Sequence, residues 1–344
     1  MTIRTGLFTL SALAGLGIVA VVATRTGLSL GAVAGLVPPR THLLALGAFF
    51  LSLTARGGRI VLLARGLGRP LTLPGAVATQ LTGEAAAALT PSRSGSDPGR
   101  LIFLRRLGVD VPTGIAVLAG ELMSEGVVLL AALPFLLLLF PDQGAVLLGA
   151  LPYAVGALAL PFVAFFAARL PGGRMPSLFF RTVGFTSERR RRLGTGAGRF
   201  RSKARALSRL DRATMAGVLL ISLVHLLARL AILPILVLGA TPDTPLGPLV
   251  AWPLLLLYTG SLLPPPGGGG GVELTFAAGL AGVLSRDGLA GPLLWWRWYT
   301  FYLGSLLGGM TIFLRLAEGG VPAPGLRRSP PAGKGKALPL SPGR

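Results

Sequence analysis

The sequence predicts an all-α polytopic membrane protein, with about six full transmembrane helices plus two re-entrant broken-helix hairpins in inverted repeats. Three observations carry this reading. Of the 344 residues, 52% are hydrophobic and 13% charged, and the mean hydropathy is +0.70; an ordinary soluble domain is roughly a quarter charged. Apolar runs near the ~20 residues that cross a ~30 Å hydrocarbon core recur from end to end. Two of those runs are split by clusters of Pro, Gly and Ser through which a helix does not continue. This composition excludes a soluble enzyme.

The first run, 7–23, follows Arg4 and is read as a retained span in preference to a cleaved signal peptide. The second, 42–64, carries Arg56 and Arg59 inside it. A weaker apolar stretch at 73–89 then meets the breaker "TPSRSGSDPGR" at 90–100, and the two together are too short and too broken to span, which predicts a re-entrant hairpin. Continuous spans are expected at 113–140 and 145–168, and another at 214–239 after a basic loop at 169–213. From 249 the pattern breaks again: a short apolar half to 263, "PPPGGGGG" at 264–271, and a second half from 272 to 284. The final span, 289–316, contains "WWRWYTFY", whose Trp and Tyr suit an interfacial belt. Residues 1–316 thus form one membrane domain, and 317–344, rich in Pro, Gly, Lys and Arg, is expected to be a disordered basic cytoplasmic tail.

The net charge of +21 is a question of location. Thirteen basic residues stand against Glu188 and Asp211 between Arg169 and Arg212. This is the signature of a cytoplasmic loop beside anionic lipid, not of nucleic-acid binding. Counting spans places both termini on the side holding about 25 of the 33 basic residues, leaving Arg25, Arg40 and Arg286 opposite with Asp142, Asp243 and Asp287. The bias points to a bacterial cytoplasmic membrane with both termini cytoplasmic. The two hairpins then enter from opposite faces, the pattern of an inverted repeat with a midplane substrate site.

Charge at membrane depth costs roughly 2.5 to 3.5 kcal/mol per group on insertion scales, so each such group calls for a partner or a wet cavity. The acids are Glu84, Glu121, Glu125 and Glu273, and the bases Arg56, Arg59, Arg229 and Arg297. Glu121 and Glu125, and likewise His225 and Arg229, are four apart, and Arg56 and Arg59 three apart, so each pair shares a helix face. Structural ion pairs are one reading. The other is a polar cavity, lined by Arg56, Arg59, Glu84 and Arg229, in which Arg holds an anionic headgroup and Glu balances it. Arg suits phosphate through its bidentate fork, and Arg93, Asp97 and Arg100 stand where the first hairpin turns back. The substrate-binding set is therefore Arg93, Asp97, Arg100, Glu121, Glu125, Glu273 and Arg297. His42 is assigned to the interface and His225 to a buried polar contact. No cysteine is present and only two histidines and twelve acids are, so no catalytic residue, metal or cofactor is assigned.

Four ordered elements also carry a resemblance. "TPSRSGSDPGRLIFLRRLGV" resembles a Pro-x-Arg, Gly, Asp/Glu-x-x-Arg stretch, here Pro91, Arg93, Gly95, Asp97 and Arg100. "GELMSEG" resembles a Glu-Arg-x-x-Asp element, here Glu121 and Glu125. "PPPGGGGGVELTFAAGL" is similar to a Pro-Gly-Gly-x-Gly-x-x-Glu element ending at Glu273, and "WRWYTFYLGSLLGG" to an Arg-x-x-Thr-Tyr-Tyr segment with Arg297, Thr300 and Tyr302. Together they resemble the lysylphosphatidylglycerol synthase transmembrane region, a family of flippase-like membrane proteins, over residues 5–316. The resemblance implies a membrane domain associated with lipid translocation, found fused to a soluble aminoacyltransferase in multiple peptide resistance factor proteins.

The chain departs from that pattern in three ways. It ends shortly after the last span, so no aminoacyltransferase domain and no lipid lysylation by this chain alone are expected. Leu122 stands where the family often has Arg, and Glu84 where many members carry an uncharged polar residue. The function expected is transbilayer movement of an anionic phospholipid or a polyprenyl-phosphate-linked lipid. With no ATP-binding P-loop, movement is downhill or coupled to an ion gradient through the Glu residues. The alternative is a membrane-embedded enzyme or accessory subunit acting on lipid-linked sugars, or a partner of a separately encoded transferase; a second copy of the chain is a further partner to test.

Overall fold

The computed structural model describes residues 35, 37–167, 202–203, 205–207, 209–260 and 271–317. The expected span at 7–23, most of the basic loop, the tip at 264–270 and the tail beyond 317 lie outside the described residues. Among the described residues all regular structure is helical, as expected of apolar segments whose backbone groups must be satisfied internally.

Helix α1, Pro39–Gly66, opens on a proline whose missing N–H has no intrahelical role at that position. Helix α2, Leu73–Ala88, is capped by Thr72, and a 3-10 turn at Pro91–Arg93 leads to α3, Ser96–Arg106. Helix α4 spans Val111–Leu139, and α7 spans Arg212–Leu238. Each is opened by an aspartate that accepts from the N–H three residues on, Asp110 from Thr113 at 3.3 Å and Asp211 from Thr214 at 2.7 Å. Between them lie α5, Gly144–Leu148, and α6, Leu151–Ala167. The remainder comprises α8 (Leu246–Thr259), α9 (Gly271–Leu280), α10 (Arg286–Arg297), a π-helical turn at Trp298–Tyr302, and α11 (Leu303–Ala317).

Three described helices, α1, α4 and α7, are long and apolar enough to cross a membrane, and the stretch from Pro141 through α6 makes a fourth if taken as one bent span. The continuous span expected at 145–168 is corrected here: the chain bends by 40° between α5 and α6. Pro152 has no N–H to donate to the Leu148 carbonyl, so the helix restarts instead of continuing. The expected last span is helical from Arg286 to Ala317, but with the π-helical turn inserted midway.

Packing shows how these pieces are arranged. Helices α1 and α7 run antiparallel, with Gly58 opposite Ile221 at one level and Gly239 against Thr41 at the other end. The halves of the first hairpin, α2 and α3, lie side by side, Gly83 against the Arg100 stem and Gly99 against Ala86. Those of the second, α8 and α9, do the same, Gly260 beside Val272 and Gly279 under the Trp252 ring. Both interrupted segments are helical hairpins. Helix α11 lies on α2, where Gly308 is held so close to the Leu81 carbonyl that a Cβ has no room.

Helix α7 contributes to all three apolar clusters: Val218 to one with α1 to α4, Leu226 and Leu230 to one with α4 to α6 and α8, and Ile232 to Val237 to one with α1 and α8 to α10. Large apolar side chains also face outward, among them Leu44, Phe50, Phe135, Phe162 and Leu138, the last 83% exposed. In water that arrangement is costly, while against hydrocarbon it is not. The aromatic run departs from the belt expected of it. Trp296, Tyr299 and Phe301 are buried, Trp296 stacked on Phe276 at 5.1 Å, and Trp298 is the exposed member. His42 meets this face, 3.2 Å from the Tyr299 hydroxyl and edge-on to Trp295.

Candidate functional site

The polar side chains of these apolar helices fall on narrow stripes. Ser52, Arg56 and Arg59 follow i, i+4, i+7 spacing on α1, Gln80 and Glu84 i, i+4 on α2, and Ser222, His225 and Arg229 i, i+3, i+7 on α7. Each stripe is one helix face. Packing turns those faces toward one another, and the charges meet in three groups.

The first group centres on Glu121 of α4. Arg59 Nη2 donates to its Oε1 at 2.6 Å and lies 3.5 Å from Glu125 Oε2, while Arg59 Nη1 donates to Ser222 at 3.2 Å. Gln80 donates to the same Glu121 oxygen at 2.6 Å, and Arg100 pairs with the other. Arg100 also holds Asp97 at 3.0 Å, although the Asp97 side chain is 68% exposed. The hydroxyl of Ser222 donates to Ser124 at 3.1 Å, and Ser52 shares a hydrogen bond with His225 at 2.9 Å. His225 is thus the buried polar contact expected, with Glu125 4.0 Å from its other nitrogen. Removing two charges from water costs several kcal/mol per ion, and only full pairing offsets it. Here each Glu121 oxygen has a guanidinium.

The second group is Glu84, which takes Arg56 on Oε1 and Arg93 on Oε2, each at 2.5 Å. Arg93 arrives there from a strained backbone: Ser92 and Arg93 have φ of 50° and 55°. Consecutive non-glycine residues in the left-handed region persist only where surroundings over-determine them. The third group is Glu273 with Arg297, 2.8 Å apart across the second hairpin and the following helix. Arg297 also lies 4.8 Å from the centre of the Phe301 ring, and Arg93 5.5 Å from the same ring.

Arg229 connects the groups. Its Nη2 donates to the Thr300 carbonyl at 2.9 Å, an oxygen within the π-helical turn. Such turns displace the helical ladder by one residue and recur at functional sites. Two adjoining cavities meet at Arg229 and Thr300. One is lined by Ser52, Arg56 and Glu84, and the other by Arg93, Trp296 and Arg297.

All the residues expected at a substrate or polar site therefore fall within this network, but they do not share one cavity. Arg56, Glu84, Arg93, Arg229 and Arg297 line the cavities or hold the groups that do. Arg59, 1% exposed, lines neither and is sealed inside the Glu121 group with Arg100. Sequence reasoning passed over Gln80, Ser52, Ser124 and Ser222, and read Trp296 as part of an interfacial belt. The stripe spacing was the signal available for Ser52, Gln80 and Ser222.

A chain whose described regular structure is all helical, with helices long and apolar enough to cross a membrane, outward apolar side chains and a buried Arg/Glu network at two hairpins, is a multi-pass membrane protein. It belongs to the lysylphosphatidylglycerol synthase transmembrane region family, whose model matches residues 7–308. That family is a membrane domain associated with lipid-related functions. No curated protein matches the chain.

Proposed function

We propose that this protein moves an anionic phospholipid, or a polyprenyl-phosphate-linked lipid, between the leaflets of a bacterial cytoplasmic membrane, with both termini cytoplasmic. The observation that carries this is a charge imbalance. Among the described residues, six arginines (Arg56, Arg59, Arg93, Arg100, Arg229 and Arg297) meet four glutamates (Glu84, Glu121, Glu125 and Glu273) and Asp97 in the network between the hairpins, a surplus of one positive charge. An anionic headgroup offsets the surplus, whereas an uncharged lipid leaves it unbalanced in a poorly polar environment. Each hairpin follows one of the antiparallel pair α1 and α7, which supports inverted halves around a central site. The chemistry assigned is binding and release, with no bond made or broken.

The test is leaflet accessibility in proteoliposomes of the purified full chain, across labelled phosphatidylglycerol, cardiolipin, phosphatidylethanolamine and polyprenyl phosphate. Movement of an anionic lipid faster than in empty liposomes is expected. Rates equal to empty liposomes for every lipid would defeat the proposal.

A further inference from the structure

The two cavities differ in a way that assigns them different work. The cavity under the first hairpin mixes donors and acceptors: Arg56 and Arg229 face Glu84 and the Ser52 hydroxyl. The adjoining cavity beside the second hairpin is lined on its polar side by Arg93, Arg229, Arg297, Trp296 and Thr300. The three arginines and the indole are donors only. Thr300 is the one polar lining residue that also accepts: its carbonyl takes Arg229 Nη2 at 2.9 Å, and its hydroxyl commits its hydrogen to the Trp296 carbonyl at 2.7 Å.

Trp296 supplies a second, independent observation. It is 1% exposed, and its Nε1–H has no acceptor. A buried donor left without a partner costs about 1 to 3 kcal/mol. Arg93 and Arg297 meanwhile approach the same Phe301 ring, so two like charges converge on one aromatic side chain. Their carboxylate partners, Glu84 and Glu273, do not line this cavity. Arg93, on the strained turn of the first hairpin, shares this cavity with Gly260 and Val272 of the second.

Resting on the transport reading above, we infer that this second cavity is the phosphate-binding half of the site: it takes the phosphodiester of a lipid headgroup on Arg93, Arg229, Arg297 and the Trp296 indole. A phosphodiester presents acceptors only, which matches a polar lining dominated by donors. The Glu121 group, closed on Arg59, Gln80 and Arg100, is the structural tie between α1 to α4 and does not hold the anion.

Calorimetric titration of the full chain in detergent tests this with three probes: dioctanoyl phosphatidylglycerol, dioctanoylglycerol and inorganic phosphate. The phosphodiester lipid is expected to bind, and dioctanoylglycerol to bind at least about tenfold more weakly, since it lacks the charged acceptors. Arg229→Gln is expected to weaken the lipid by about tenfold or more, and Trp296→Phe by about three- to tenfold, while Trp298→Phe, on the exposed side of the same turn, leaves it unchanged. Arg229→Lys keeps the charge without the fork and, with Trp296→Phe, carries the test should Arg229→Gln fail to fold. Lipid affinity unchanged in both folded Arg229 and Trp296 variants would overturn the assignment. Inorganic phosphate binding as tightly as the lipid would also overturn it, in favour of a free-anion site. Specific lipid binding without transbilayer movement would sink the transport reading and leave this site standing, while movement with binding insensitive to these residues would do the reverse.

Discussion

At the residue scale the network turns on single carboxylates shared between arginines, and Glu84 is the plainest case. It was a departure from the family pattern in the sequence, yet it joins Arg56 on α1 to Arg93 at the hairpin turn. Glu84→Gln leaves two guanidiniums facing a neutral amide, and breaking a buried pair typically costs about 3 to 5 kcal/mol. The expected result is a lowered thermal midpoint in detergent and reduced expression, with part of the loss recovered by adding Arg56→Gln. Glu273 and Arg297 allow a sharper separation. If they serve the substrate, Glu273→Gln and Arg297→Gln each insert and fold but fail to move lipid, and the double variant remains inactive. Transport restored in the double variant would mark the pair as structural only.

At the element scale the helix starts are written locally and their breaks are not. Asp110 opens α4 by accepting from both the N–H and the hydroxyl of Thr113. Burial opposes its charge, but the Thr113 hydroxyl and amide outweigh burial and hold the carboxyl below its ordinary value. The lowered folded value means that this stabilisation is complete above about pH 4, the unfolded carboxyl range, and is lost as pH falls through the folded value. Asp110→Ala is expected to cost about 1 kcal/mol near neutrality, and unfolding followed from pH 7 down should show the gap to wild type closing in acid. Gly308 belongs to this scale too. Its contact with the Leu81 carbonyl joins α11 to α2, so Gly308→Val should cost about 1 to 3 kcal/mol by overpacking, read as a lower thermal midpoint, while Gly309→Val, with nothing close by, should not.

At the scale of the whole molecule, the side-by-side packing of α8 and α9 returns the chain to the level at which it left α7. Asp243 and Asp287, which flank that hairpin, are therefore expected on one side of the membrane. The native chain has no cysteine, so Asp243→Cys and Asp287→Cys can be labelled singly. Labelling from the same face is expected; opposite faces would make the second hairpin a full crossing and dissolve the inverted arrangement.

Taken alone, the sequence determined the helical membrane class, the two interrupted segments, and the identity of the charged residues at depth, because these depend on composition, run length and Pro/Gly chemistry within a few residues. That Glu273 and Arg297 would come near each other or share a cavity was also legible, since a returning hairpin brings them close. Only the tertiary structure decided the rest. Which arginine takes which glutamate, the separation of a closed Glu121 group from two cavities, and the inward turn of Trp296 depend on how helix faces meet across long sequence separations. The 40° bend before α6 and the π-helical turn at Trp298–Tyr302 were equally hidden: each is a displacement of the backbone ladder inside an apolar run, and hydrophobic pattern does not record which carbonyl a given N–H will find.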